Sequence, residues 1–225
     1  MCGRFTLRAP LDALASLFEA TPVPGLQLAL RYNIAPTQSV PVVRIHEGHR
    51  QIATMHWGLI PSWSKEPKAS YSTMNARADT LATKPAFRTA FKSRRCLVLA
   101  DGYYEWKAEG KIKQPYLYEI DGGKPFAFAG LWEQWWGDDK DAAPLESCTI
   151  ITTDANSLAS QIHNRMPVIL LPNDDDLWLN PGVKDTSMVS PLLDQFPEDR
   201  MTVRPVSTHV NNARHEGPEF ILNSA

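Results

Sequence analysis

The sequence predicts an α+β fold, built mainly from short antiparallel or mixed strands with helices at the periphery. Three observations carry this. From Val40 to Leu171 the apolar residues fall in short runs rich in aromatic and β-branched types, which is strand patterning. Strands and helices do not alternate regularly, so a doubly wound sheet or an eight-stranded α/β barrel fits poorly. Eighteen prolines are scattered without a low-complexity linker or repeat, which cuts the chain into many short elements joined by fixed turns.

The elements follow in order. Pro10 opens a helix with Leu11, Leu14, Leu17 and Phe18 on one face. Strands at 40–46 and 51–57 join through Gly48, and a loop with Pro61, Trp63 and Pro67 follows. A helical region covers 78–91, broken near Pro85. Strands are then expected at 96–100, 103–107, 116–120, 126–131, 147–153 and 168–171. Asp154 or Asn156 caps a helix carrying Leu158 and Ile162, and Asn173 caps a short acidic helix ending near Leu179.

The chain has 225 residues, enough for one domain, 1–225, with a sizeable core. Apolar residues make up 43% and charged residues 21%, so the chain is neither disordered nor membrane-embedded. No apolar run reaches membrane-spanning length, and the start MCGRFTLRAP does not read as a secretory signal. Three cysteines do not make a disulfide framework, so a reducing cytoplasm is expected. The net charge of −2 hides an asymmetry: residues 77–113 hold nine basic and four acidic residues, and 121–200 hold five basic and fourteen acidic. A near-neutral total therefore does not exclude a polyanion partner.

Cys2 carries the most chemical information. Initiator methionine is usually removed before a small second residue, which would leave a thiol and a free α-amine on adjacent carbons. The amine titrates at about 7.7–8.0, so part of it is neutral at pH 7. Such a 1,2-aminothiol condenses with an aldehyde to an imine and closes to a thiazolidine, which no internal cysteine can do. Gly3 leaves room for close approach, and Arg4 can lower the thiol pKa. The alternative is a tolerated small residue in a frayed terminus.

On a strand, Tyr103, Glu105 and Lys107 share one face, and Tyr104 and Trp106 the other. A carboxylate among aromatics can exchange protons near neutrality; otherwise Glu105 is an exposed residue paired with Lys107. His163, followed by Arg165, suits proton transfer beside a phosphate, although a lone histidine is more often structural. Asn75 and Arg77, and the stretch holding Arg31 and Asn33, can grip phosphate. Trp57 and Trp63 could stack on bases, but most of the seven tryptophans belong to a core. Cys96 and Cys148 read as core thiols, and cysteines so widely spaced do not match a zinc-ligand pattern, so no metal or other cofactor is expected. Nucleotide-binding loops and serine-hydrolase elbows are missing from the sequence.

Six blocks in order then resemble one family. They are MCGRF at 1–5, RYNIAPT at 31–37, WGLIPSW at 57–63, NAR at 75–77, ADGYYEWK at 100–107 and HNRMP at 163–167. Together they resemble the SOS-response-associated peptidase (SRAP) family over nearly the whole chain. The resemblance implies twisted, mainly antiparallel sheets in a barrel-like core with flanking helices. It implies that Cys2 forms a thiazolidine with the open-chain aldehyde of an abasic site in single-stranded DNA. Asn75 would orient Cys2, while Glu105 and His163 handle protons. Arg4, Arg77 and Arg165 would hold phosphates, and Asn33, Pro36 and Trp63 would line the strand's path. A monomer working in the cytoplasm, at the nucleoid when bound to DNA, is the matching expectation. Two other functions stay open. One is a cysteine peptidase using Cys2, whose simplest substrate is its own Met1–Cys2 bond. The other is a non-covalent single-strand binding module.

Overall fold

The computed structural model describes residues 2–67, 73–110, 112–137 and 142–221. Met1, the residue whose removal would expose the Cys2 amine, lies outside the described residues.

In chain order the elements are β1 (Phe5–Leu7), α1 (Leu11–Leu17), β2 (Thr21–Pro22), β3 (Arg31–Ile34), β4 (Ser39–His46) and β5 (His49–Trp57). Then come β6 (Asn75–Arg77), α2 (Arg88–Ser93), β7 (Arg95–Ala100), β8 (Gly102–Glu109), β9 (Ile112–Ile120) and β10 (Phe126–Trp135). The chain continues with β11 (Leu145–Asp154), α3 (Ser157–Ser160), β12 (Arg165–Pro167), α4 (Asp175–Leu179) and β13 (Met201–Pro205). The fold is α+β, dominated by antiparallel ladders.

Two sheets build it. The smaller has the order β13-β9-β8-β1-β3. The larger runs β12-β11-β10-β7-β4-β5-β2, with β6 added beside β11. A parallel pairing of β11 with β5, Ser147 with His56 and Cys148 with Trp57, closes five of its strands into a ring. Closure removes sheet edges, so the barrel's backbone groups are paired internally. Val42, Val98, Phe128 and Ile150 are fully buried, giving the ring a packed apolar interior. Gly48, at φ +82, sits with Glu47 at positive φ in the β4–β5 turn, where His46 faces His49. Two consecutive positive φ values are what a two-residue hairpin requires.

Several expected elements differ. The 78–91 helix is reduced to a 3₁₀ turn at Ala78–Thr80 and the short α2, because Pro85 cannot continue a helix across the gap. Leu17 is 51% exposed, so of α1's expected apolar face Leu14 and Phe18 are buried in the core and Leu11 packs against its edge. The 168–171 segment makes one bridge, Phe128 with Ile169, because it crosses from β11 to β10. The capping alternatives resolve to Asn156, whose side chain accepts from the Ala159 amide. Asn173 lies inside the 3₁₀ turn Pro172–Asp174, which moves the start of α4 to Asp175.

Asp175 sits in an apolar recess with Phe18, Phe126 and Leu170. Burial pushes its carboxyl up to about 7, with Arg50 opposing. An unfolded aspartate titrates at about 3.9, so the folded state binds the proton more tightly between these values. The stability this group gives is present below pH 4 and lost as pH rises through 7. Asp175→Asn should raise the melting temperature at pH 8 and leave it little changed at pH 4. Melting curves at both pH values check this, and a lower melting point at pH 8 would contradict it.

Candidate functional site

The site forms where the first residues of the chain run beside β8. Phe5 pairs with Tyr103, and the Tyr104 amide donates to the Arg4 carbonyl at 2.9 Å. Gly102 permits this approach, since a Cβ there would stand 2.9 Å from Thr6 Oγ1 and 3.2 Å from the Tyr118 carbonyl. Asp101, also buried, accepts from Thr6 Oγ1 at 2.6 Å, Arg8 Nε at 2.9 Å and the Arg8 amide. Residues 2–8 are therefore locked to β8, and Cys2 is fully buried.

The two-residue period of β8 decides what faces Cys2. Tyr103 and Glu105 turn inward, and Tyr103 stacks on Tyr118 at 4.7 Å. Tyr104 packs in a second apolar cluster with Leu117, Val206, Val210 and Phe220, with Trp106 at its edge. Glu105 is only 4% exposed, so it is a core carboxyl rather than a surface partner of Lys107. Burial raises its pKa, while the charges of His163 and Arg165 work against the rise. Burial also pushes the Cys2 thiol up, and the charge of Glu105 adds to that.

Asn75 reaches the same place from the barrel. β6 pairs in parallel with β11, Asn75 opposite Ile150, and Asn75 Nδ2 donates to the Cys2 carbonyl at 2.8 Å. Asn75 Oδ1 is buried with no hydrogen-bond partner among the described residues. His163 follows α3. Its Nδ1 accepts from the Arg165 amide at 3.0 Å. The same Nδ1 lies 3.2 Å from the Arg165 carbonyl, to which it donates when it carries a proton, so Arg165 holds the ring whichever nitrogen is protonated.

Three arginines surround this centre in different states. Arg4 lies over Trp106, 5.6 Å from the ring centroid, and its Nη1 donates to Asn33 Oδ1 at 2.6 Å and the Val210 carbonyl at 2.8 Å. Its buried Nε has no partner among the described residues. Arg77 is half exposed and paired with Asp79 at 2.5 Å. Arg165 joins Arg77, Thr152 and Asp154 around one shallow recess. Asn33 is fully buried, and its amide donates to the Asn212 and His215 carbonyls, so it faces Arg4 rather than solvent. Pro36 is half-buried in the turn after β3, and Trp63 is 67% exposed at the tip of its loop.

A family model described as SOS response associated peptidase (SRAP) matches residues 1–213. The chain belongs to the SRAP family. It is 40% identical over 223 residues to the abasic site processing protein YoqW of Bacillus subtilis, covering 98% of this chain and 99% of the relative. It is 35% identical over 219 residues to the abasic site processing protein HMCES of Xenopus tropicalis, covering 84% of this chain and 64% of that one. A crystal structure of a protein from Bacteroides thetaiotaomicron superposes with a TM-score of 0.86 at 26% identity, covering all of both chains. A phage-related protein of Bordetella bronchiseptica does so with a TM-score of 0.70 at 28% identity, covering 91% of this chain and 94% of that one.

The candidate site gathers Cys2, Asn75, Glu105 and the 163–165 turn from four separate stretches of sequence. Among the described residues no group of three His, Cys, Asp or Glu is placed to hold a metal ion. What the site can supply is a neutral thiol, a buried carboxyl and an imidazole that can carry protons, and an amide that fixes the Cys2 backbone. Motif reading alone gave no role to Asp101, Trp106 or Asn211. Asp101 locks residues 2–8 to β8, and Trp106 carries Arg4 while donating to Asn211 Oδ1 at 2.6 Å. The ADGYYEWK block contained two of these, but their roles depend on long-range partners.

Proposed function

We propose that this SRAP protein captures abasic sites in single-stranded DNA by forming a thiazolidine at Cys2 once Met1 has been removed. The observation that carries it is the meeting at Cys2 of Asn75, buried Glu105 and the His163 turn. The relatives' names, abasic site processing proteins, point to the same lesion.

The chemistry balances with the residues present. His163, as an imidazolium whose Nδ1–H is donated to the Arg165 carbonyl, gives its Nε2 proton to the ring oxygen of the closed sugar while a solvent water takes the proton of the anomeric hydroxyl, and the aldehyde opens. Glu105 takes a proton from the Cys2 ammonium. The freed amine adds to the aldehyde carbon, and the carbinolamine loses one water to give an imine. Cys2 sulfur then bonds to the imine carbon, its proton passes to nitrogen, and the five-membered ring closes. Proton-transfer groups of this kind contribute about 10²–10⁴-fold. Asn75, through the Cys2 carbonyl, holds amine and thiol in one orientation, and its open Oδ1 can accept from the amine.

Arg4, Arg77 and Arg165 supply the phosphate contacts, which position a strand without reading its sequence. Trp63 and Pro36 offer surfaces for unstacked bases beside the lesion. Asn33 acts through Arg4. All the chemical groups come from one chain, so a monomer suffices. No helix among the described residues is long and apolar enough to cross a membrane. A peptidase using Cys2 fits less well. Nucleophilic cysteines work with a lowered pKa, and burial drives this thiol the other way.

The test is intact mass before and after incubation with a single-stranded oligonucleotide bearing one abasic site. The expected result is protein lacking Met1, shifted after denaturation by one strand less one water. Processed protein without that shift would reject covalent capture. Asn33→Ala is expected to weaken strand binding several-fold. It should also lower stability by about 1–3 kcal/mol, because buried carbonyls and the Arg4 Nη1 lose partners. Titration of undamaged strands and a melting curve read both effects; unchanged affinity would remove Arg4 from the phosphate set.

A further inference from the structure

The basic stretch seen in the sequence is only partly used by the site. Residues 80–100 hold five basic side chains, Lys84, Arg88, Lys92, Arg94 and Arg95, and no acidic one. Two of the five are engaged inside the protein. Arg94 pairs with buried Glu133, and Arg95 donates to the carbonyls of Phe91, Trp178 and Val183.

The other three lie along α2 and the turn that leads into it. The Arg88 amide donates to the Lys84 carbonyl at 2.9 Å, closing a turn at the entry to α2. Lys84, in that turn, precedes Arg88 by four residues and Arg88 precedes Lys92 by four, while Phe87, Ala90 and Phe91 are buried. All three are exposed, and none has an ion pair among the described residues. Four residues of helix advance about 6 Å, so Arg88 and Lys92 are spaced close to the step between neighbouring phosphates of an extended strand, and Lys84 precedes them in the turn. Like charges so spaced destabilise a helix slightly. An unneutralised row therefore needs an explanation other than helix stability.

The row starts beside the site. Lys84 donates its amide to Thr80, in the 3₁₀ turn that directly follows Arg77. Asp79's carboxyl is held low first by its hydrogen bond from Arg77, and the charge of Lys84 also contributes. Arg77 and Lys84 thus flank one carboxylate.

We infer that Lys84, Arg88 and Lys92 form a ridge that carries the phosphates of the strand leaving the lesion, extending the footprint beyond Arg77. This rests on the proposed capture of single-stranded DNA. The ridge makes no base contact and contributes no chemistry, so its effect is confined to affinity, salt dependence and strand length.

The test uses full-length protein with Lys84, Arg88 and Lys92 all changed to alanine. Binding is titrated against salt on undamaged single strands, one of about five nucleotides and one of about twenty. Each phosphate contact on a single strand contributes about 0.7 to the slope of log affinity against log salt, so the long-strand slope should fall by about 2. The short-strand slope should not change. A long-strand slope equal to wild type overturns the ridge, as does an equal fall on both lengths, which would place the lysines and arginine at the site itself. In parallel, wild-type and variant protein are mixed with a short abasic oligonucleotide. Equal denaturation-resistant capture by both keeps the two questions separate. Failure of the wild type to capture it rejects the proposed function and leaves the salt slopes to be read alone.

Discussion

Cys2→Ala should abolish adducts that survive denaturation, while the protein keeps its fold. The alanine variant, once processed, still has an α-amine and can form an imine with the lesion aldehyde. It cannot close that imine with sulfur, so the adduct stays open to hydrolysis. Borohydride should trap a small amount of it as a stable amine, and without reductant denaturing gels should show no crosslink. Cys2 is packed with Phe5 and Tyr103 in the main core, so loss of its sulfur leaves a small void. The cost is about 1 kcal/mol, comparable to loss of one buried methylene, and at this chain length it lowers the melting temperature by about 2–4 °C. A denaturation-resistant adduct at the wild-type level without reductant would reject the thiazolidine. A collapse in melting temperature would instead make Cys2 a core residue first.

Much of this arrangement was legible from local sequence. The strands at 40–46, 51–57, 96–100 and 147–153 were visible because each is a dense apolar run, and each lies within a ring strand. The alternation of Tyr103, Tyr104, Glu105 and Trp106 placed Glu105 and Tyr103 on one face before any partner was known. β1, β2, β3, β6 and β12 were not legible. Each has four residues or fewer, and each is defined by its pairing with a strand distant in sequence. That matters most for β6. NAR gives no strand signal alone, yet its pairing with β11 brings Asn75 to the Cys2 carbonyl. Sequence blocks identified Cys2, Glu105 and His163 as residues that belong together, but not the reason Asn33 is among them. Its carboxamide lies between Arg4 and two C-terminal carbonyls some 180 residues away in sequence, at Asn212 and His215, and only the folded chain shows that bracket. The exposure of Glu105 was the most consequential open question. Sequence allowed both a surface pair with Lys107 and a core carboxyl, and the stacked tyrosines and Cys2 make it the second.

Glu105→Gln separates the chemical role of that carboxyl from its cost to the fold, because the two effects have opposite signs. Burial raises the Glu105 pKa above its ordinary value, so the folded state holds the proton more tightly than the unfolded chain. Its stabilising contribution is present below the unfolded pKa and is lost as pH rises through the folded pKa. Glutamine removes the charge and keeps the shape, so the variant should melt at a higher temperature than wild type at pH 8, with little difference at pH 4. Capture should move the other way. Without a carboxylate to take the ammonium proton, the rate near neutrality should fall by about 10²–10⁴-fold. In wild type the rate falls as pH drops through the Glu105 pKa, and that acid limb should flatten in the variant. His163→Ala should leave the limb in place, since it removes the donor to the sugar oxygen rather than this base. A Gln variant that is both less stable at pH 8 and unchanged in its acid limb would make Glu105 a structural anchor. Higher stability with slower capture is the combination expected when a fold keeps a buried charge for chemistry, as functional sites commonly do.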